Sequence, residues 1–283
     1  MRETTTKTSL LGLIGHPVSH SLSPKMHSYF AQCADKDTVY LAFDVKKEEL
    51  AEIISSVRKM GVLGFNITAP YKTDILSSLD VIDEEAAHIG SVNTIVNKKG
   101  KWYGYNTDGK GFVHSLEKEV GDVCGKKVLL IGAGGTARSI SYEFAKKEVA
   151  SVTISARNLH KVSEIEETLS KYTKCTFFNT MDPREHYDII VNTTPLGMHE
   201  HAGENPFAEH MDMVSQETVC CDLIYNPKKT VFLSESQKRG AHIVNGLPML
   251  VLQGIYAYEL FTDTKLNTNC YDETMKLFSE YRL

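Results

Sequence analysis

Residues 132–137, Gly132-Ala133-Gly134-Gly135-Thr136-Ala137, follow the apolar stretch 128–131 and open a helical pattern. In that setting backbone N–H groups and the positive end of a helix dipole face an anion at close range, and glycine removes the side chains that would keep it away. A glycine-rich turn also serves any tight bend, so the strand before and the helix after it carry the reading of a dinucleotide loop. About twenty residues further on, where an Asp or Glu would hydrogen-bond a ribose 2′-hydroxyl, stand Ser155, Ala156 and Arg157. A carboxylate there would repel a 2′-phosphate, whereas Arg157 can hold one through two charged hydrogen bonds, with Lys161 one turn later adding positive charge. The expected cofactor is NADP. The competing reading makes Arg157 and Lys161 a solvated helix start.

A second set of polar residues lies in the first third of the chain. Ser21 and Ser23 precede Pro24, which suits the first residue of a helix, so Ser23 is expected as the N-cap. Two hydroxyls beside free N–H groups could also cradle a carboxylate, though taken alone the capping role is the simpler reading. In 66–72, Asn66-Ile67-Thr68-Ala69-Pro70-Tyr71-Lys72, period-two alternation sends Asn66 and Thr68 to one face of a strand and Ile67 to the other. Lys72 follows the turn, and Asp108 in Asn106-Thr107-Asp108-Gly109 stands where a helix begins. Each has an ordinary structural role open to it, an exposed cation for one and a helix cap for the other.

The elements that must position these residues form two α/β units. Strand-like runs at 10–15, 39–45 and 64–68, with an amphipathic helix carrying Leu50, Ile53, Ile54 and Val57, make the first. From Lys126 a second alternation begins, with strands at 128–131, 152–155, 187–192, 219–225 and 241–244 and a helix over 136–149. It closes near residue 245. The segment 249–261 is apolar around most of its circumference, which predicts a buried helix, and the last helices are expected to return to the first unit.

Bulk properties exclude several classes of function. The 31 basic and 36 acidic residues give a net charge of -5 without long blocks of one sign, so no footprint for nucleic acid is present. No apolar run is long enough for a membrane span, and the start carries no export pattern. The six cysteines include no C-x-x-C pair, which fits a reducing cytoplasm. His199 and His201 lack a third ligand at a familiar spacing, so no metal is expected.

Taken together the motifs resemble the shikimate dehydrogenase family. The blocks are Gly15-x-Pro17 through His20-Ser21-x-Ser23-Pro24, then 66–72, Gly90-Ser91-Val92-Asn93-Thr94, and Asn106-Thr107-Asp108-Gly109. They continue with 132–137, 192–198, Asp222-Leu223-Ile224-Tyr225-x-Pro227, and Gly246-x-x-Met249-Leu250-x-x-Gln253. The resemblance runs from Gly15 to about Thr262. It implies an α/β fold of two domains: residues 1–108 plus 246–283 would bind substrate, and a Rossmann-type domain at 109–245 would bind NADP.

It further implies that Ser21 and Ser23 hold a substrate carboxylate, that Asn66, Thr68, Asn93, Tyr225 and Gln253 bind or orient the ring hydroxyls, and that Lys72 and Asp108 are the catalytic pair, also in contact with substrate. Cofactor contacts would come from Gly132, Ala133, Gly134, Gly135, Thr136, Ala137, Ala156, Arg157, Asn158, Lys161, Thr193, Leu223 and Gly246. Family members reduce 3-dehydroshikimate to shikimate with NADPH, on the route to aromatic amino acids, as monomers or homodimers. The same fold also serves quinate or dual-specificity enzymes, and a non-catalytic NADP sensor is the alternative of another class. Four departures stand out: Ala156-Arg157-Asn158 replaces an Asn-Arg-Thr block, Lys161 stands where a second Arg is usual, Thr193 replaces an Ala, and Pro248 replaces a Gly.

Overall fold

Apolar side chains recurring every second residue build the first sheet of the computed structural model, which describes residues 4–279 apart from 179 and 183. Strand β1 (Ser9–Gly15) leads into α1 (Ser23–Cys33), β2 (Thr38–Asp44), α2 (Leu50–Lys59) and β3 (Gly64–Ile67). After these come β4 (Val81–Ile82), α3 (Glu84–Ile89), β5 (Thr94–Lys98) and β6 (Lys101–Tyr105). The strands lie in the order β2-β1-β3-β5-β6-β4, parallel from β2 to β3 and antiparallel where β5 joins β3 and β6. A core of Ile14, Phe65, Ile67, Tyr71, Ile95 and Trp102 fills one face.

The second sheet begins after α4 (Asp108–Val120). It takes β7 (Lys127–Ile131), α5 (Gly135–Lys146), β8 (Ser151–Ser155), α6 (Leu159–Leu169), β9 (Thr176–Phe178), β10 (Ile189–Asn192), β11 (Val219–Asp222), α7 (Val231–Lys238) and β12 (His242–Val244). All its pairs are parallel, in the order β12-β11-β10-β7-β8-β9. Counted within this unit that is 3-2-1-4-5-6, the doubly wound order of dinucleotide-binding sheets, with its switch point between β7 and β10.

Helices α8 (Leu247–Thr262) and α9 (Cys270–Ser279) complete the chain, and Tyr29 on α1 donates to Glu273 on α9 at 2.8 Å. The chain divides into one unit running to Thr107 and resuming at Val251, and another over Asp108–Leu250, so the second division falls inside α8. The sequence placed it at 246, where the glycine stands. Pro248, the second residue of α8, occupies a position whose N–H has no helical partner, which accounts for a proline at the place where a glycine is common.

Candidate functional site

In the first unit the loop after β1 starts at a forced glycine. A Cβ on Gly15 would overlap the Thr68 methyl, so β1 and the end of β3 approach as only glycine permits. Helix α1 begins at Ser23, with Leu22 as its N-cap and no side-chain capping bond. The expectation that Ser23 caps the helix is therefore corrected by one residue, because Pro24 is accommodated equally well one position further in. Relieved of capping, the Ser23 hydroxyl accepts from Ser21 Oγ at 3.1 Å, and Ser21 Oγ also accepts from the Ser23 N–H at 3.2 Å. Ser23 is buried and Ser21 half-buried.

At the end of β3, Ile67 enters the core while Asn66 turns to the other face. Asn66 Nδ2 donates to the Asn93 carbonyl at 3.2 Å and to Thr94 Oγ1 at 3.1 Å. Asn93 is delivered by the left-handed Gly90 that ends α3. Its Oδ1 accepts from the Thr107 N–H and from Thr94 Oγ1, both at 2.9 Å, and its Nδ2 donates to Thr107 Oγ1 at 2.9 Å and to Gln253 Oε1 at 3.4 Å. With its oxygen turned to Asn93, Gln253 has its own amide protons directed elsewhere.

The segment at Val92 and Asn93 also holds backbone at or beside each catalytic candidate. The Val92 N–H donates to the Lys72 carbonyl at 2.8 Å, fixing the backbone on which the half-buried Lys72 stands. Asp108, 4% exposed, directly follows Thr107, whose N–H and hydroxyl are both bound to Asn93. Thr68 donates its N–H to the Ile14 carbonyl at 2.9 Å, just past the end of β3.

In the second unit, β7 is followed by Gly132, whose φ of +114° lies where side chains are strained. A Cβ there would stand 2.5 Å from Thr193 Oγ1, whereas a Cβ on Gly134 would meet nothing within 4 Å. Gly134 is the N-cap of α5 and supplies no side chain to satisfy the first amides, those of Gly135, Thr136 and Ala137. An open, uncapped helix start beside a forced glycine turn at the switch point fits a pyrophosphate.

Thr193, lying after β10, donates through Oγ1 to the Ile131 carbonyl at 2.8 Å, alongside its own N–H at 2.9 Å. That second bond across the switch point is what threonine adds where an alanine is usual. Past β8, Ala156 is half-buried and Arg157 and Lys161 are exposed, while Asn158 Oδ1 accepts from the Lys161 N–H at 3.3 Å as the N-cap of α6. Asn158 thus has a structural task that leaves Arg157 and Lys161 as the cations of this loop. At Gly246 any Cβ would collide with the Leu223 carbonyl, which brings these two expected cofactor residues together. Tyr225 is half-buried on the same loop.

Residues 13–95 match the family model for the shikimate dehydrogenase substrate binding domain, and residues 114–223 match that for shikimate/quinate 5-dehydrogenase. The NADP(+) shikimate dehydrogenase of Methanococcus maripaludis is 43% identical over 264 residues, covering 92% of this chain and 93% of that protein. The chain belongs to the shikimate dehydrogenase family. A crystal structure of a shikimate dehydrogenase in complex with NADP+ superposes with a TM-score of 0.89 at 37% identity, covering 99% of this chain and 98% of the other. The Listeria monocytogenes shikimate 5-dehydrogenase, in complex with shikimate and NAD, gives 0.88 at 32% identity, covering 98% and 99%.

This family member holds the ends of β10 and β11 with a pair of buried polar residues to which the sequence analysis assigned no role. Asn192 Nδ2 donates to the Leu196 carbonyl at 3.0 Å and to both Asp222 oxygens at 3.2 Å, while its Oδ1 accepts from the Thr194 N–H and hydroxyl. Asp222 further accepts from the Ile224 N–H at 3.0 Å and from Thr230 Oγ1 at 2.8 Å. The signal available in the sequence was a carboxylate closing an apolar strand, a place where it must find donors.

Burial pushes the Asp222 carboxyl up to about 6, while the bonds from Ile224, Thr230 and Asn192 pull it down. Because its folded value lies above the unfolded one, Asp222 contributes most below about pH 4, and that contribution is lost as pH rises through about 6. Asp222→Asn is therefore expected to remove a pH dependence of about 2 kcal/mol between pH 4 and 7. Urea unfolding followed by circular dichroism at both pH values checks it, and equal pH dependence in variant and wild type would refute the shift.

Among the described residues no three His, Cys, Asp or Glu side chains gather as a metal requires, and no helix is long and apolar enough to cross a membrane. The His199 side chain lies outside those described. His201 Nδ1 pairs with Glu204 at 2.6 Å.

Proposed function

We propose that this chain is an NADP-dependent shikimate dehydrogenase, catalysing the reversible reduction of 3-dehydroshikimate to shikimate. The observation that carries this reading is that the Val92 N–H holds the Lys72 main chain and Asn93 holds Thr107, the residue before Asp108, within a chain similar along nearly its whole length to shikimate dehydrogenases. NADPH, when bound, supplies the hydride. Gly132, Gly134, Gly135, Thr136 and Ala137 would hold its pyrophosphate, with Leu223, Gly246 and Thr193 shaping the loops beside it and Arg157 and Lys161 receiving the 2′-phosphate.

Ser21 and Ser23 donate to the substrate carboxylate, and Asn66, Thr68, Asn93, Tyr225 and Gln253 position the ring. As negative charge grows on the substrate ketone oxygen, the Lys72 ammonium stabilises it more than it stabilises the neutral ketone, which is how a fixed charge lowers a barrier. Lys72 and Asp108 between them supply the proton and keep the hydroxyl oriented.

An absorbance assay of nicotinamide reduction, run with shikimate and with quinate against NADP and NAD in turn, tests the assignment. Turnover is expected with shikimate and NADP. Comparable turnover of quinate or use of NAD would place the chain among dual-specificity enzymes, and silence in all four pairings with NADP still bound would make it a sensor.

A further inference from the structure

The helix that carries Asp108 receives a hydrogen bond at its start from a side chain of another helix. Helix α4 begins at Asp108, which puts Thr107 in the capping position and makes Gly109 the second residue of the first turn. The first amides of a helix have no carbonyl within it to bond, and the capping side chain ordinarily receives the one two or three residues on. Thr107 instead commits its side chain and main chain to Asn93: its hydroxyl accepts from Asn93 Nδ2 and its N–H donates to Asn93 Oδ1, both at 2.9 Å. The Gly109 N–H donates to Ser139 Oγ at 3.3 Å, in the cofactor helix α5. Both residues are buried, Ser139 completely.

Only glycine fits at this crossing, since a Cβ on Gly109 would collide with the Ser139 carbonyl. From that contact α4 and α5 run side by side in the same direction. Phe112 meets Phe144 edge to face with ring centroids 5.9 Å apart, and Glu117 accepts from Lys147 at 2.8 Å. The start of α4 therefore lies against α5 one turn beyond Gly135, Thr136 and Ala137, whose amides face the expected pyrophosphate.

An aspartate in the first turn of a helix is ordinarily drawn to the unbonded amides and positive end of that helix. A carboxylate committed in that way is withdrawn from a ligand. We propose that Ser139 is a positioning residue that satisfies the start of α4 in place of the Asp108 carboxylate, and so leaves that carboxylate to the reacting hydroxyl; this rests on the reading of Asp108 as one of the catalytic pair for shikimate. Gly109 and Ser139 divide the task, the glycine admitting the close approach and the serine supplying the acceptor. Without the hydroxyl a buried N–H would need a new partner, and the anion nearest to it in the chain is the carboxylate one residue before. Because Ser139 stands on the helix that also carries the pyrophosphate amides, the element that holds the cofactor sets the carboxylate as well.

Ser139→Ala removes the acceptor while favouring the helix. It is expected to lower kcat for shikimate about tenfold, the scale of one buried hydrogen bond, because the carboxylate then rests on the Gly109 amide in most molecules. The KM for NADP should stay within about twofold and that for shikimate within about threefold. In the Asp108→Asn background the same substitution should change kcat by less than about twofold, since no carboxylate remains to be diverted. A loss of about tenfold in both backgrounds would make Ser139 a packing residue and overturn the proposal, as would a kcat for the single variant within about twofold of wild type. A raised KM for NADP at unchanged kcat would assign Ser139 to the cofactor loop and overturn it as well. Ser139→Cys, whose sulfur is a weak acceptor of similar volume, supplies the same readout if Ser139→Ala does not fold. Wild-type enzyme that turns over shikimate beside an unaffected variant rejects the role of Ser139 alone, whereas wild-type enzyme inert on shikimate rejects the functional reading and this role with it.

Discussion

Replacing Lys72 with alanine is expected to lower kcat by about 10²-fold or more while leaving the KM for shikimate within a few-fold. The asymmetry follows from when the ammonium is needed. In the ground state the ketone carries little charge and the rest of the site holds the carboxylate and ring, so losing Lys72 removes little binding. In the transition state the oxygen has become nearly an alkoxide, and an ammonium at a preorganised position stabilises it without having to rearrange water. That position is set by main chain: the Val92 N–H holds the Lys72 carbonyl at 2.8 Å, a bond the alanine variant retains. The variant should therefore keep its fold, and circular dichroism beside steady-state kinetics separates the two effects. A kcat within about threefold of wild type would remove Lys72 from the chemistry. A large rise in KM at unchanged kcat would make it a binding residue that acts equally in both states.

Why Lys72 was legible and Ser139 was not is a matter of what a sequence can display. A lysine after a proline turn, or glycines between a strand and a helix, violate the local average and so carry a signal. The loop at 132–137 is legible from its context, and it lies between β7 and α5 as expected. Ser139 sits at a helix position where a small residue is ordinary, and only the fold brings it to Gly109. Asp222 is similar, since its donors come from three separate stretches at Asn192, Ile224 and Thr230.

The hairpin of β5 and β6 leaves little trace in the sequence because its strands are five residues each and its turn is built on Lys99 and Gly100, both at positive φ, without the Asn-Gly or Asp-Gly signal of such turns. Strand β9, three residues long, is too short for alternation to register. The helix read over 136–149 ends at Lys146, and Glu148 beyond it takes a φ of +56° that no propensity announces. Sheet order was likewise invisible, because the crossovers that generate 3-2-1-4-5-6 are a global choice made by packing both faces of the sheet.

Arg157→Ala is expected to weaken NADP by about 1.5 to 3 kcal/mol, the usual worth of a hydrogen bond to a charged group, and to leave NAD binding almost unchanged. The argument turns on which groups of the loop after β8 remain available. Asn158 is committed to capping α6 through its side-chain oxygen, and Ala156 has no polar group to offer. Arg138, the other guanidinium in this unit near the start of α5, is 17% exposed and paired with Glu164 at 3.5 Å. Arg157 and Lys161 are exposed, which in the absence of a ligand makes them worth little to stability. A 2′-phosphate changes that balance, because two parallel charged bonds to one dianion order the guanidinium far better than a single exposed carboxylate can. Lys161, a point charge without the fork geometry, should contribute less, and Lys161→Ala should fall between the wild type and Arg157→Ala. Titration calorimetry with NADP and NAD measures both losses directly. Equal weakening of the two cofactors would mean that Arg157 meets the part they share, and the selection of NADP would then have to come from elsewhere in the loop.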